Sequence, residues 1–231
     1  MHNEIQRKTR KLLSSRYLDP DNKKIKTMIM YSGGADSLSL AKNILESTSH
    51  KIFLHHVILK NFEERDQFQL DVLEKQLHFL RKIREFEFIQ STTEMKISSQ
   101  KFKYVGLDLT TSLFMGGRSC LALKNQISAI YTGHLLATSA PELFEGISVL
   151  NALFTNKRFK PNWILPFRSL DQSSAKLKIY ESIGEDGLAL TVSCRAPSKT
   201  NGVFKSCKKC HACKTREKAV KTLGWDMSLV K

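Results

Sequence analysis

No run of apolar residues in this 231-residue sequence approaches the roughly 20 that a membrane-spanning helix needs, so no such helix is expected. Met1 to Lys26 is polar and basic and lacks the apolar core of a secretory signal; a cytoplasmic location, away from membranes, is the expectation. Cysteine is scarce outside one stretch. Of the five, four lie between Cys194 and Cys213, which excludes a disulfide framework spread over the chain and points to metal instead. Acidic residues are in deficit, 22 against 37 Lys and Arg, for a formal net charge of +15. Internal repeats and low-complexity segments are absent, and the 41% hydrophobic content is that of a chain with an ordinary core. One medium domain, or one with a small appendage, fits the length.

The basic excess gathers at two places. One holds Arg7, Lys8, Arg10, Lys11, Arg16, Lys23, Lys24 and Lys26; the other runs from Lys199 to Lys221. Clusters of this kind serve nucleic-acid backbones or form a basic rim around a site for smaller anions, and charge alone does not choose between them.

Short apolar runs alternate with helical periodicity. Thr27–Tyr31 reads as a buried strand that enters a tight turn at Ser32-Gly33-Gly34. Leu38, Ala41, Ile44 and Leu45 recur at helical spacing, and 51–59 reads as a second strand. Phe68, Val72, Leu73, Leu77, Leu80 and Ile83 form an apolar stripe along one helix. A third strand is expected over 85–89, a loop over 91–103, a helix over 111–126 and a strand over 129–132. A loop with cysteines follows Cys194, and a short helix covers about 215–222. The expected fold class is α/β, a doubly wound and mostly parallel sheet with a small C-terminal appendage.

The turn Ser32-Gly-Gly-Ala-Asp-Ser37 stands between a strand and a helix start, where an anion meets backbone amides and the positive end of the helix dipole. Gly33 and Gly34 permit close approach of the main chain, Ser32 and Ser37 add hydroxyl donors, and Asp36 is the candidate magnesium ligand. The lysine of a Walker loop is missing, as is the G-x-G-x-x-G of a dinucleotide site. This string, in this context, resembles the pyrophosphatase loop (PP-loop) of ATP pyrophosphatases. The resemblance implies cleavage of ATP between its α and β phosphates, adenylation of an acceptor oxygen, and pyrophosphate held by the loop.

Cys194, Cys207, Cys210 and Cys213 are spaced as Cys-x12-Cys-x2-Cys-x2-Cys, and the two-residue gaps let one tight turn present neighbouring thiolates to a single ion. Structural zinc is the leading reading, and a four-cysteine iron–sulfur cluster is its rival. Cys120 stands apart on a helix as a buried small residue.

Both ends together resemble the 7-cyano-7-deazaguanine synthases of queuosine biosynthesis. The resemblance is carried by the loop, by Thr191-Val-Ser-Cys194, by Cys207-Lys-Lys-Cys-His-Ala-Cys213 and by Arg216 and Ala219. Gly117-Arg118 and Leu165-Pro-Phe167, followed by Ala175-Lys176 and Ile179-Tyr180, add weaker matches. The middle departs from the family. Ser119 replaces an Asn, Val192 replaces a Trp, and His134–Leu143 stands where the family reads its deazaguanine.

The resemblance implies an AMP-forming, carbon–nitrogen bond-forming ligase that uses ATP, Mg2+ and Zn2+. Its substrates would be 7-carboxy-7-deazaguanine and ammonia, and a homodimer is the family's habit. Asp36, Ser37 and Arg118 are the catalytic candidates, Arg118 as a phosphate or carboxylate clamp. The alternative acceptor is a macromolecule (tRNA, DNA or protein). Three segments are expected: a basic extension over 1–26, the ATP-binding domain over 27–190, and the zinc-binding segment over 191–231. His134 is a candidate substrate contact, while His55 and His56 read as packing and rim residues.

Overall fold

Five short strands form one parallel sheet in the order β3-β2-β1-β4-β5. They are β1 (Lys26–Met30), β2 (Lys51–Lys60), β3 (Glu87–Glu94), β4 (Ala129–Thr132) and β5 (Asn162–Ile164). The computed structural model describes residues 19–60, 65–94, 108–123, 126–133, 148–149, 151–152, 161–166, 172–194, 197–200 and 203–230. The 1–18 part of the basic extension, His134 and the rewritten stretch 134–143, and 95–103 of the expected loop lie outside these residues.

Parallel neighbours need crossovers, and helices supply them. The helices are α1 (Ala35–Ser47), α2 (Arg65–Arg81), α3 (Asp108–Ala122), α4 (Gln172–Ala189) and α5 (His211–Leu223). On one face of the sheet, Leu38 and Ile44 of α1 pack with Leu73, Leu77 and Leu80 of α2, Ala175 and Ile179 of α4, and Ala219 and Val220 of α5. They cover Ile29, Tyr31, Leu54 and Tyr131. On the other face Met28, Met30, Phe53, Val57 and Ile130 meet Cys120 and Leu121 of α3. Each fully buried aliphatic side chain contributes roughly 1.5–3 kcal/mol. Helices on both faces explain why β1 beyond Lys26, and all of β4, are buried at every position rather than at alternate ones. The doubly wound α/β expectation is met, and Cys120 is buried as expected, its thiol pushed up to about 12 by that burial.

The structure departs from the sequence reading at several points. The third strand runs on to Glu94, because Ser91-Thr-Thr continues its pairing with β2 as far as Lys60. β5 and α4 occupy a region whose elements the sequence left unassigned. The helix expected over 111–126 is α3, which starts and ends earlier and holds Gly117-Arg118 within it. The closing helix starts at His211, earlier than expected, and an antiparallel hairpin of β6 (Ser198–Thr200) and β7 (Val203–Lys205) precedes it. Ala219, Val220 and Leu229 belong to the main core, so the C-terminal segment shares its hydrophobic interior with the sheet. Among the described residues no helix is long and apolar enough to cross a membrane.

Candidate functional site

From β1 the chain moves outward through β2 to β3, then returns to place β4 on the other side of β1. The turn after β1 therefore sits at the point where the strand order reverses, the usual ligand position in open α/β sheets. Gly33 has φ +76, a conformation that side-chain-bearing residues rarely adopt. Gly34 is the N-cap of α1 and offers no side chain, so the first amides of the helix are left for another acceptor. Ser37, nearly buried, accepts from the Ser32 amide at 3.2 Å and donates to the Gly34 carbonyl at 3.0 Å, while its hydroxyl lies 3.2 Å from that of Ser32. Gly133, just past β4, has no Cβ to press on the loop. One placed there would lie 3.2 Å from the Asp36 carbonyl carbon and 3.3 Å from the Ser37 nitrogen.

A residue that the sequence offered only as a family match completes this site. Lys176 reaches from α4 and places its Nζ 2.5 and 2.6 Å from the two carboxylate oxygens of Asp36. Both side chains are partly exposed at the loop mouth, 20% and 31% respectively. The pair is a cation held beside uncapped helix amides by a carboxylate that can exchange it for another partner.

Below the loop lies Gln76 of α2, with no exposed surface. Its Nε2 donates to the carbonyls of Gly33 at 2.9 Å and Leu190 at 2.6 Å, and its Oε1 accepts from the Tyr31 hydroxyl at 2.7 Å. Burial drives the Tyr31 phenol far above its ordinary range, so it stays a donor. The sequence reading missed Gln76. The available signal was a polar residue on the Leu73, Leu77, Leu80 face of the helix.

His55 and His56 are both buried in β2 and point to opposite faces. His56 shares its Nδ1 with the Tyr31 carbonyl at 2.8 Å. The His55 Nε2 lies 2.9 Å from the Ser91 hydroxyl and 3.4 Å from that of Ser119, and its Nδ1 has no partner among the described residues. Burial, aided by the charge of His56, lowers His55 to about 4. These histidines are interior groups, so the packing reading holds and the rim reading is corrected. Arg118 is exposed on α3, and among the described residues no hydrogen bond or ion pair joins it to the loop.

The four cysteines converge. The sulfurs of Cys194, Cys207, Cys210 and Cys213 all lie within 4.8 Å of one another. A tetrahedral thiolate site with metal–sulfur bonds of about 2.3 Å has sulfurs roughly 3.8 Å apart, so this set fits a single ion. The Cys207 amide donates to Cys194 Sγ at 3.2 Å and the Cys210 amide to Cys207 Sγ at 3.3 Å. Amide donors from Cys210 and Lys209 bring the Cys207 thiol down to about 6, whereas burial raises Cys213 to about 12. Arg216, one turn after Cys213, is buried, and among the described residues no carboxylate pairs with it. It donates instead to the carbonyls of Leu188 at 2.7 Å, Thr191 at 2.9 Å and Leu229 at 2.8 Å.

No family model and no curated protein matches the chain. Among solved structures it is similar to the U34-tRNA thiolase NcsA from Methanococcus maripaludis with its 4Fe–4S cluster. The TM-score is 0.51 at 16% identity, over 95% of this chain and 70% of that one. A predicted subunit of tRNA methyltransferase from Methanocaldococcus jannaschii DSM aligns with a TM-score of 0.41 at 13% identity, over 89% of this chain and 91% of that one. The first likeness shows a shared fold.

Proposed function

We propose that the chain is an AMP-forming enzyme of the PP-loop type that activates an acceptor oxygen with ATP. The observation that carries this reading is the Ser32–Ser37 loop at the sheet's reversal point, with uncapped helix amides and the Lys176–Asp36 pair at its mouth. The amides after Gly34 and the two serine hydroxyls receive the β and γ phosphates, which leave as pyrophosphate. Lys176 turns from Asp36 to phosphate oxygen, and the freed Asp36 carboxylate would hold a magnesium ion, which would supply charge neutralisation to the phosphates. The acceptor oxygen attacks the α phosphorus and the bond to the bridging oxygen of pyrophosphate breaks. The protein's part is placement and electrostatics.

With the acceptor that the sequence resemblance implies, a 7-deazaguanine carboxylate is adenylated and ammonia displaces AMP to give the amide. A second adenylation, at the amide oxygen, then expels AMP and leaves the nitrile. The test is mass spectrometry of AMP, pyrophosphate and product from the full chain with ATP, ammonium and 7-carboxy-7-deazaguanine. Nitrile formed by wild type and lost in Asp36→Ala supports the reading. Wild type that makes no AMP with this acid or with a macromolecular acceptor sinks it.

The second reading, a macromolecular acceptor, is favoured by α5. Lys214, Lys218 and Lys221 are exposed at i, i+4 and i+7, next to exposed Lys205, Lys208 and Lys209. The one acidic residue of that helix, Glu217, is paired with Lys221 at 2.7 Å. Such a row matches a phosphate backbone, and binding through it weakens steeply with salt. An RNA affinity that is salt-independent, or unchanged in Lys214→Glu/Lys218→Glu, removes this reading.

For the cysteines we propose one zinc ion in a closed, structural role, with Cys194, Cys207, Cys210 and Cys213 as the ligands. The tight clustering of the four sulfurs supports it, since a cube of four irons takes one thiolate at each of four separated corners. The expected division into 1–26, 27–190 and 191–231 is carried over as a proposal, as is Arg118 as an oxyanion clamp from α3.

A further inference from the structure

The anion loop and the cysteine cluster share one stretch of chain. Residues 188–194 leave the end of α4, pass the loop and finish at Cys194. On the loop side, the Gln76 amide nitrogen bridges the Gly33 and Leu190 carbonyls, and a Cβ on Gly34 would stand 3.8 Å from the Val192 carbonyl. On the metal side, Arg216 ties down Leu188 and Thr191, its guanidinium also 3.0 Å from the Thr191 hydroxyl, and it belongs to the same helix as Cys213. Thr191 in turn donates to the Leu188 carbonyl at 2.8 Å. Every polar atom of Gln76 is used: two N–H bonds are donated and one is accepted from Tyr31. Among the standard side chains of this size, only an uncharged amide supplies that set.

We propose that Gln76 is a positioning residue for the anion loop. It acts by fastening the loop to residues 188–194, which Arg216 holds at Leu188 and Thr191 and which the cysteine site would hold at Cys194 when its ion is bound. Metal occupancy at the cysteines and the geometry of the loop are then one cooperative unit. Loss of the ion frees Cys194 and also Cys213, at the start of the helix that carries Arg216, so both anchors of 188–194 slacken and the Leu190 carbonyl no longer holds Gln76 against Gly33. The ATP role proposed above enters only through the affinity readout.

The test is hydrogen exchange on the zinc-loaded full chain before and after chelation. In wild type, chelation should raise exchange in peptides covering 31–37 and 188–194 by about five-fold, the change that one lost hydrogen bond brings, with β2 and β3 unaffected. In Gln76→Met, exchange over 31–37 should already be raised and should respond no further to chelation, while zinc content stays at the wild-type level. Binding of ATP and of inorganic pyrophosphate, measured calorimetrically without turnover, should weaken about five- to thirty-fold in that variant.

Unchanged exchange over 31–37 on chelation of wild type overturns the proposal. So does a rise that is equal in β2, which means global unfolding, or a full chelation response in Gln76→Met. Should wild type bind neither ATP nor pyrophosphate while the exchange coupling is present, the proposed function fails and this inference stands.

Discussion

Acidification should destabilise this protein through His55, and the size of the effect follows from its surroundings. The imidazole is fully buried between β3 and α3, with serine hydroxyls at Nε2 and no partner for Nδ1 among the described residues. Burial, with the charge of His56 adding to it, lowers its pKa from 6.5 to about 4. The unfolded chain therefore binds a proton that the folded one refuses between these values. Stability rises with pH there: the neutral-His55 contribution is complete above about 6.5 and is lost as pH falls toward 4. Linkage gives a loss of about 2 kcal/mol by pH 5 and about 3 kcal/mol by pH 4, relative to neutral pH.

His56 and His50 are also lowered chiefly by burial and act in the same direction, so the isolating experiment is a difference. Urea unfolding of wild type and His55→Leu between pH 7.5 and 4.5 should give curves that converge toward acid by that amount. Acid effects on the cysteines are common to both and cancel. Parallel curves across this range would refute the assignment of a buried, neutral His55.

The remaining expectations concern the two centres. Gly133→Ala should leave the fold intact, because the contacts near 3.2 Å call for a shift of only tenths of an ångström. That shift falls on the backbone of Asp36 and Ser37, so ATP binding measured by calorimetry should weaken, and unchanged affinity would show that the loop tolerates the displacement. Arg216→Met should cost roughly 3–5 kcal/mol in denaturant unfolding, since three buried carbonyls lose their donor; a loss under about 1 kcal/mol would mean that water replaces the guanidinium. Cys210→Ser should reduce bound metal and melting temperature together, because structural metal binding is part of the folding free energy. Full metal stoichiometry in that variant would remove Cys210 from the ligand set. Lys176→Met should abolish AMP formation with little change in stability, as its ion-pair partner among the described residues is Asp36 at the partly exposed loop mouth, and retained turnover would exclude it from phosphate contact.

The local elements were legible because their signals are local. The strand β4 was read to its last residue, and β1 and β2 to within about one, since apolar runs state burial directly. The loop and the cysteine set were legible for the same reason: each is a short string whose chemistry is fixed by residue type and spacing. β5 escaped because three residues carry no period, and α4 because its Gly184, at φ 71, interrupts the helical pattern.

What the sequence determined by itself is the presence of a glycine-rich loop behind a buried strand, and of four thiols spaced for one ion. Only the tertiary structure decided what surrounds them. It brought Lys176 across 140 positions to Asp36, set Gln76 beneath Gly33, and turned Arg216 inward to carbonyls rather than to an acid. Those partners are distant in sequence, and polar residues that lie on apolar helix faces read as interruptions until the fold closes around them. Once water is excluded, each buried donor must find an acceptor, and the chain supplies it from wherever packing has brought one.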